Sequence, residues 1–246
     1  MKGLNAKIQS ESMINFFNED TDFSIEKAML FYQLEHPEIT RNAVKIRLTN
    51  LVKKGILSRT AKGQYTFGKK TDYKPVPEPD LQKLYRKLID KFPYAKFCIW
   101  NTKLFNEFMV HQPGRFYTLI ETEKDASEYV FNFLKEFNQE VFLNPDEKTL
   151  NLYALNSTKS MIVKDLITET PIQTIENIPT ITIEKMLVDV FCDEIIFTTQ
   201  QGSELENIFV EAFNKYAINK TKIYRYANRR TKKQQIEEYI IQLKIN

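Results

Sequence analysis

Hydrophobic residues in the first part of the chain recur every three or four positions, a spacing that predicts three amphipathic helices. The first spans Lys7–Phe17, and the second begins after Ser24 as its N-cap and ends before Pro37. The third runs from a Thr40 cap to about Lys54, where Gly55 is the expected stop. The inward positions of the third helix are Val44, Leu48, Leu51 and Val52.

The outward side of the third helix has the composition of a surface that reads DNA bases. It carries Asn42, Lys45, Ile46, Thr49 and Lys53 at helical spacing. Asparagine pairs with adenine, lysine reaches guanine or phosphate, and the methyl groups of isoleucine and threonine meet the thymine methyl. Arg41, at the start of the helix, is better placed to contact a phosphate.

Two short alternating runs after the third helix predict a β-hairpin. Its strands are Ile56–Thr60 and Gln64–Phe67, joined through Ala61-Lys62-Gly63. Arg59 and Lys62 near its tip would lie against the sugar-phosphate backbone and add salt-dependent affinity. Helices followed by a basic hairpin predict a winged helix-turn-helix domain over residues 1–70. A solvated basic surface, or a winged helix that contacts protein, would have the same pattern.

Positive charge is concentrated in two segments, although the formal net charge is only +3. Residues 40–70 contain nine Lys and Arg and no acidic residue, and residues 220–233 contain seven and none. The rest of the chain is acidic, so the distribution favours local binding of a polyanion such as double-stranded DNA. If Arg225, Arg229 and Lys232 share one helical face, the second segment would bind nucleic acid or an acidic protein patch. A solvated helix that balances the acidic body is the alternative.

Three alternating prolines predict an extended, semi-rigid linker over residues 71–79. Beyond the linker, helical and strand-like patterns alternate, which predicts a larger mixed α/β domain over residues 80–246. Helices are expected at Asp80–Lys91, in the segments that follow Thr102, Thr122, Thr182 and Ser203, and beyond Lys222. Strands are expected at Ala95–Trp100, Phe116–Glu121, Leu150–Leu155, Ser160–Val163 and Thr180–Thr182. The predicted fold class is therefore mixed α/β (α+β), with an N-terminal winged helix-turn-helix.

The sequence lacks the usual motifs of nucleotide, metal and catalytic sites. Its six glycines form neither GxGxxG nor GxxxxGK[ST], and GxSxG and HExxH are absent. Cys98 and Cys192 lie in separate apolar runs and are expected to be buried thiols, while His36 and His111 have no partners at ligand spacing. We therefore expect no cofactor, no metal and no enzymatic activity. Without a long apolar run or a signal peptide, a soluble cytoplasmic protein with no membrane partner is expected.

Six segments of the chain, taken in order, resemble AbiEi-type antitoxins of type IV toxin-antitoxin systems, in a Bacteroidetes-style branch of that family. They are LVKKGIL at 51–57, GQY at 63–65, FCIWNT at 97–102, HQPGRF at 111–116, IEKMLVD at 183–189 and YRYANRR at 224–230. The similarity spans nearly the whole chain, and the ordered set carries it rather than any one motif. One departure is Thr231, which follows Arg229 and Arg230 where that family often has glycine.

This resemblance implies a bifunctional protein. The N-terminal domain would bind inverted repeats in its own promoter and repress transcription, and the C-terminal domain would counteract a co-encoded toxin resembling a nucleotidyltransferase. The candidate antitoxic surface is then the second basic segment, with Arg225, Arg229, Arg230 and Lys232.

Two other functions stay open. One is a ligand-sensing winged-helix repressor, and the other is a nucleic-acid-processing enzyme that its winged helix delivers to substrate. The absence of Glu-x-Lys counts against a metal-dependent nuclease. Glu184, Lys185 and Asp189 alternate with core positions, so a structural role is expected for them.

Overall fold

The computed structural model of the protein describes residues 12–13, 16–17, 22–53, 56–67, 71–153 and 160–244. The predicted mixed α/β fold is confirmed. The chain forms two compact units. Of the described residues, the first contains those of 1–72 together with Phe213–Lys222 and Lys244, and the second contains those of 73–212 together with Ile223–Leu243. Most of the predicted Lys7–Phe17 helix lies outside the described residues, as do Lys54, Gly55, Lys69 and Lys70.

The first unit consists of short elements joined by tight connections. They are β1 (Phe23–Ser24), α1 (Ile25–Gln33), α2 (Arg41–Lys53), β2 (Leu57–Ala61) and β3 (Gln64–Phe67). Both predicted helix caps are confirmed, because Ser24 Oγ accepts the Lys27 N–H at 3.3 Å and Thr40 Oγ1 accepts the Ala43 N–H at 3.2 Å. The predicted hairpin is confirmed as well, since β2 and β3 pair antiparallel.

Strand β1 was not predicted, because two residues are too few to show an alternating pattern. It pairs antiparallel with β3 and gives a three-stranded sheet in the order β1-β3-β2. The core of the unit lies between this sheet and the two helices, with Val44, Leu48 and Leu51 supplying the inward side of α2. Burial of each such side chain is worth about 1.5–3 kcal/mol, so it fixes which side of α2 faces outward.

The segment Phe213–Lys222 was predicted as part of the larger domain but belongs to the first unit. Phe213 and Ile218 are buried, and the Ala217 N–H donates to the Thr71 carbonyl at 3.0 Å. The Lys220 ammonium lies 3.7 Å from the carboxylate of Asp22. These contacts join residues far apart in sequence, which local periodicity does not reveal.

The remaining described elements are a mixture of helices and strands. The helices are α3 (Pro79–Lys91), α4 (Lys124–Lys135), α5 (Glu147–Tyr153), α6 (Ile183–Cys192), α7 (Ser203–Lys215), α8 (Lys220–Arg229) and α9 (Lys233–Gln242). The strands are β4 (Phe97–Asn101), β5 (Thr118–Thr122), β6 (Val141–Leu143), β7 (Met161–Asp165), β8 (Ile172–Ile175) and β9 (Ile178–Ile181). Thr102–Glu107 is a 3-10 helix capped by Asn101 rather than by Thr102, because Asn101 Oδ1 accepts the Lys103 N–H at 2.8 Å.

A four-stranded sheet in the order β4-β5-β7-β6 forms the centre of the second unit. Strand β4 is antiparallel to β5, whereas β5, β7 and β6 are parallel. Alternate residues such as Ile99, Ile120 and Val163 pack with Leu88 of α3 and Val130 of α4. The other face of the sheet carries side chains that bond to Lys185 of α6 and to Asp193 directly after it, so the sheet lies between helices.

One strand prediction for the second unit is wrong. The predicted strand Leu150–Leu155 is helix α5 as far as Tyr153, and Asp146 Oδ1 caps it by accepting the Thr149 N–H at 2.8 Å. Residues 72–78 of the predicted linker have no helix or strand, and Tyr73, Pro75 and Pro77 within it are buried. The Tyr73 hydroxyl lies 3.8 Å from the sulfur of Met186, in the same unit. Strand β6 was missed because its pairing with β7 is non-local.

Helix α8 ends in a Schellman motif that has threonine at the position where glycine is usual. The Lys232 N–H donates to the Ala227 carbonyl at 2.9 Å and the Thr231 N–H to the Asn228 carbonyl at 3.1 Å. Thr231 has φ of 57°, in the left-handed region. A β-branched residue therefore adopts the left-handed conformation that this turn requires.

Thr231→Gly is expected to raise the free energy of unfolding by about 0.5–1 kcal/mol, because glycine adopts positive φ without a steric penalty. Urea unfolding measures this change. Thr231→Ala is the control, since it removes the hydroxyl but retains Cβ, and it should recover less stability than glycine. A glycine variant less stable than the parent would contradict the argument.

Candidate functional site

The outward side of α2 exposes all five residues predicted to read bases. Asn42, Lys45, Ile46, Thr49 and Lys53 are exposed, whereas Val44, Leu48 and Leu51 are buried. Asn50 is exposed at the margin of the same side and was not predicted. Helix α2 therefore presents amide, ammonium and methyl groups together, on a helix of 13 residues.

The hairpin carries the two other predicted contacts, both of them exposed. The Arg59 guanidinium donates to the Tyr65 hydroxyl at 3.2 Å and lies 5.6 Å from the centre of that ring. Lys62 lies in the turn between β2 and β3, where Gly63 has φ of 77°. The Lys62 backbone N–H approaches the Thr221 hydroxyl at 3.4 Å, so Phe213–Lys222 contacts the hairpin turn within the first unit.

Arg41 does not project freely into solvent. Its guanidinium lies 2.7 Å from the Glu26 carboxylate, and both side chains are mostly exposed. The pKa of Glu26 is held below its usual value, mainly by a backbone hydrogen bond, with further contributions from Ser24 and Arg41. A phosphate that binds Arg41 would have to compete with this carboxylate.

Arg225, Arg229 and Lys232 do not share one helical face, so the condition set for a single binding surface is not met. Helix α8 ends at Arg229, and Lys232 follows the Thr231 turn. Arg225 and Arg229 both lie beside Glu169, with Arg225 at 3.9 Å. Arg230 is directed inward, with its side chain 14% exposed, and binds two aspartates.

A buried ionic network occupies the face of the central sheet opposite α3 and α4. Cys98, Glu121 and Lys164 are cross-strand partners on β4, β5 and β7 and therefore form a row on this face. Lys185 of α6 donates to Glu121 Oε2 at 2.8 Å and to Asp189 Oδ2 one turn further along the helix. The network thus joins the sheet to α6.

Helix α8 and the loop after α6 extend the network. The Tyr226 hydroxyl donates to Asp189 Oδ1 at 2.8 Å, and Arg230 reaches the same oxygen at 3.0 Å. Arg230 also binds Asp193 at 2.5 Å, and Lys164 binds Asp193 at 2.6 Å. Three cations are therefore paired with three carboxylates. The indole N–H of Trp100 also donates to Glu121 Oε1 at 2.9 Å.

Charges inside the network favour its ionised form. Burial opposes the charged form of Lys185, but Asp189 and Glu121 hold its pKa well above the usual value. Burial likewise opposes ionisation of Asp193, but Lys164 and Arg230 keep its pKa below the usual value. Burial raises the pKa of the Cys98 thiol, so this cysteine is an inert core residue. Cys192, predicted as buried, is only partly covered.

The sequence predicted a structural role for Lys185 and Asp189 but did not reveal their partners Glu121, Tyr226 and Arg230, or the bond from Trp100 to Glu121. The available signal was a charged residue inside an apolar run, as at Glu121 within β5. Three of the sequence segments singled out above, at 97–102, 183–189 and 224–230, meet in this network. His111, from a fourth segment, lies 2.8 Å from Glu204 through Nδ1.

A cleft of about 240 Å³ opens beside the segment that leads into α3. Pro75, Pro77, Leu81, Trp100 and Leu104 are among the residues that line it. The ion pair between Glu78 and Lys103, at 2.8 Å, lies on its wall. The cleft therefore combines an apolar wall with a charged one.

Within the residues that the structure describes, no group of three His, Cys, Asp or Glu is arranged to hold a metal ion. No helix in the described part of the chain is long and apolar enough to cross a membrane.

Fold and site define a mixed α/β protein of two units, one with an exposed basic helix beside a basic hairpin and the other with a buried ionic network. A family model described as a family of unknown function (DUF6577) matches residues 43–246. The chain belongs to this family, because the match covers most of its length and includes α2 almost entirely, the hairpin and the central sheet. None of the curated proteins matches the chain.

Proposed function

We propose that the first unit is a winged helix-turn-helix that binds double-stranded DNA, and that the protein is a transcription regulator. The observation that carries this proposal is the exposed side of α2. Asn42, Lys45 and Lys53 are exposed there, and residues 40–70 contain no acidic residue. The major groove is about 12 Å wide and admits a helix, so α2 would read base edges there. The order of β1, α1, α2 and the hairpin is compatible with a winged helix and supports the proposal.

The hairpin would lie along the sugar-phosphate backbone. Arg59 and Lys62 would contact phosphates, which strengthen binding to every sequence and make it depend on salt. Arg41 would join them once a phosphate displaces Glu26. This division assigns base reading to α2 and positioning to the hairpin.

A gel shift tests the proposal with the full chain, a duplex from the region upstream of its own gene, and an unrelated duplex at rising salt. The upstream duplex should be retained at salt concentrations that release the unrelated one. Lys62→Ala should weaken binding to both duplexes alike and lower the slope of log affinity against log salt by about one phosphate contact. Lys215→Ala, at an exposed position of α7, is the control. Absence of binding, or equal affinity for both duplexes, would exclude the proposed regulator.

The resemblance to AbiEi-type antitoxins extends the proposal to an autorepressor that also counteracts a nucleotidyltransferase-like toxin in the cytoplasm. Three of the segments that resemble AbiEi-type antitoxins meet in the Lys185 network. This supports the proposal that the second unit has the same architecture as those antitoxins. Arg225, Arg229 and Lys232 are the exposed cations that would form the antitoxic surface, whereas Arg230 supports it from inside. Co-expression with the product of the adjacent gene tests this role. That product expressed alone should stop growth, and co-expression of this chain should restore it.

The cleft beside Trp100 favours a second candidate, a repressor that senses a small ligand. The cleft adjoins residues 75–78, which follow the first unit closely in the chain. Trp100 is the single tryptophan, so its fluorescence would report binding. A compound that changes this fluorescence and releases DNA would favour the sensor over the antitoxin.

The enzymatic alternative draws no support from the site. The carboxylate of Asp189 already accepts hydrogen bonds from Lys185, Tyr226 and Arg230. Cleavage of DNA or RNA by the purified protein, lost on Asp189→Asn but retained by other destabilised variants, would restore it.

A further inference from the structure

The exposed side of α2 has a methyl-rich centre. All of α2 lies within the described range 22–53, and Ile46 is the one large apolar residue among its exposed side chains, at 60% exposure. Asn42 precedes Ile46 by one helical turn and Thr49 follows it by three residues, so the three side chains are neighbours on the surface. An apolar side chain at the centre of a polar helix face gains free energy only when a ligand covers it.

Thr49 adds a methyl group rather than a hydroxyl proton to this surface. Its hydroxyl donates to the Lys45 carbonyl at 2.7 Å, within the helix. The hydroxyl proton is therefore engaged within the helix and does not donate to a ligand. The methyl group is the part of the exposed side chain that remains for apolar contact. Ile46 and Thr49 together form an apolar strip flanked by the Asn42 amide and the Lys45 ammonium.

Thymine is the only base of unmodified DNA that presents a methyl group in the major groove. We infer that Ile46 and Thr49 determine operator specificity by packing against thymine methyls, beside a base pair that Asn42 or Lys45 reads by hydrogen bonding. This inference rests on the proposed function and deepens it, because it names the chemical feature that the operator must contain.

Replacing thymine by deoxyuridine in the upstream duplex tests the inference, because this change removes the methyl groups and preserves base pairing. The full chain should bind the deoxyuridine duplex about fourfold more weakly for each methyl group that it contacts. Ile46→Ala should weaken binding to the thymine duplex and should reduce the ratio between the two affinities toward one. Thr49→Ser, which keeps the bonded hydroxyl but removes the methyl, should reduce the ratio in the same direction.

Leu30→Ala is the matched control. Leu30 is also 60% exposed but lies on α1, outside the proposed interface. This variant should keep the affinity ratio of the parent protein. Equal affinity of the parent protein for both duplexes, or an unchanged ratio for Ile46→Ala, would overturn the inference while leaving DNA binding intact. Absence of binding to either duplex would overturn the proposed function, and the inference with it.

Discussion

Lys185→Met is expected to lower the free energy of unfolding by about 3–5 kcal/mol, because removing one partner leaves buried charges without compensation. Glu121 would keep only the hydrogen bond from the Trp100 indole, and Asp189 would keep those from Tyr226 and Arg230. A typical domain is stable by about 5–15 kcal/mol, so this single change takes away a large part of the total.

Urea unfolding monitored by Trp100 fluorescence measures the change in the free energy of unfolding. The signal comes from within the network, because Trp100 is the single tryptophan and its indole bonds to Glu121. Lys83→Met is the control, because the Lys83 pair with Asp80 is exposed and contributes at most about 1 kcal/mol. If the Lys185 variant proved as stable as the Lys83 variant, the network would not hold the second unit together.

A double variant separates uncompensated charge from lost packing. Lys185→Met leaves two carboxylates, Glu121 and Asp189, without the Lys185 ammonium. Adding Glu121→Gln removes one of these two charges and should recover part of the lost stability. Lost packing alone would instead make the double variant no more stable than Lys185→Met.

Asn42→Ala is expected to relax base preference at one operator position by about 1–3 kcal/mol, or roughly 5- to 150-fold, while affinity for unrelated duplexes changes little. The reason is that a side chain bonded to a base edge distinguishes sequences, whereas a phosphate contact does not. Lys45→Ala should act in the same way if its ammonium reaches guanine.

Competition binding against single-base variants of the upstream duplex resolves these effects. Asn214→Ala and Lys27→Ala are the controls, because both residues are exposed and lie on α7 and α1 rather than on α2 or the hairpin. A uniform loss of affinity across all duplexes would assign Asn42 to the backbone and transfer base reading to other residues of α2.

The DNA-binding candidates illustrate what local pattern can predict. The Ser24 and Thr40 caps, the inward side of α2 and the hairpin all depend on residues within a few positions of each other, and all were predicted correctly. Their use in binding DNA stays a prediction, since exposure and charge describe a surface and not its ligand.

The second unit illustrates where local pattern fails. Leu150–Tyr153 has apolar residues compatible with a strand or a helix, and the Asp146 cap decides for the helix. Arg229 and Arg230 are adjacent in sequence, yet one lies beside exposed Glu169 and the other reaches buried Asp189. No periodicity distinguishes them, because their environments depend on where α8 ends and what packs beneath it.

By itself, the sequence determined the helix caps, the amphipathic faces, the two basic segments and the mixed α/β class. These properties follow from spacing and composition within one or two turns of the chain. Only the tertiary structure decided that Lys185 neutralises Glu121, 64 positions away, and that Phe213–Lys222 joins the first unit. The physical reason is that burial and charge pairing depend on contacts between distant segments, which form only when the whole sheet and its helices are assembled.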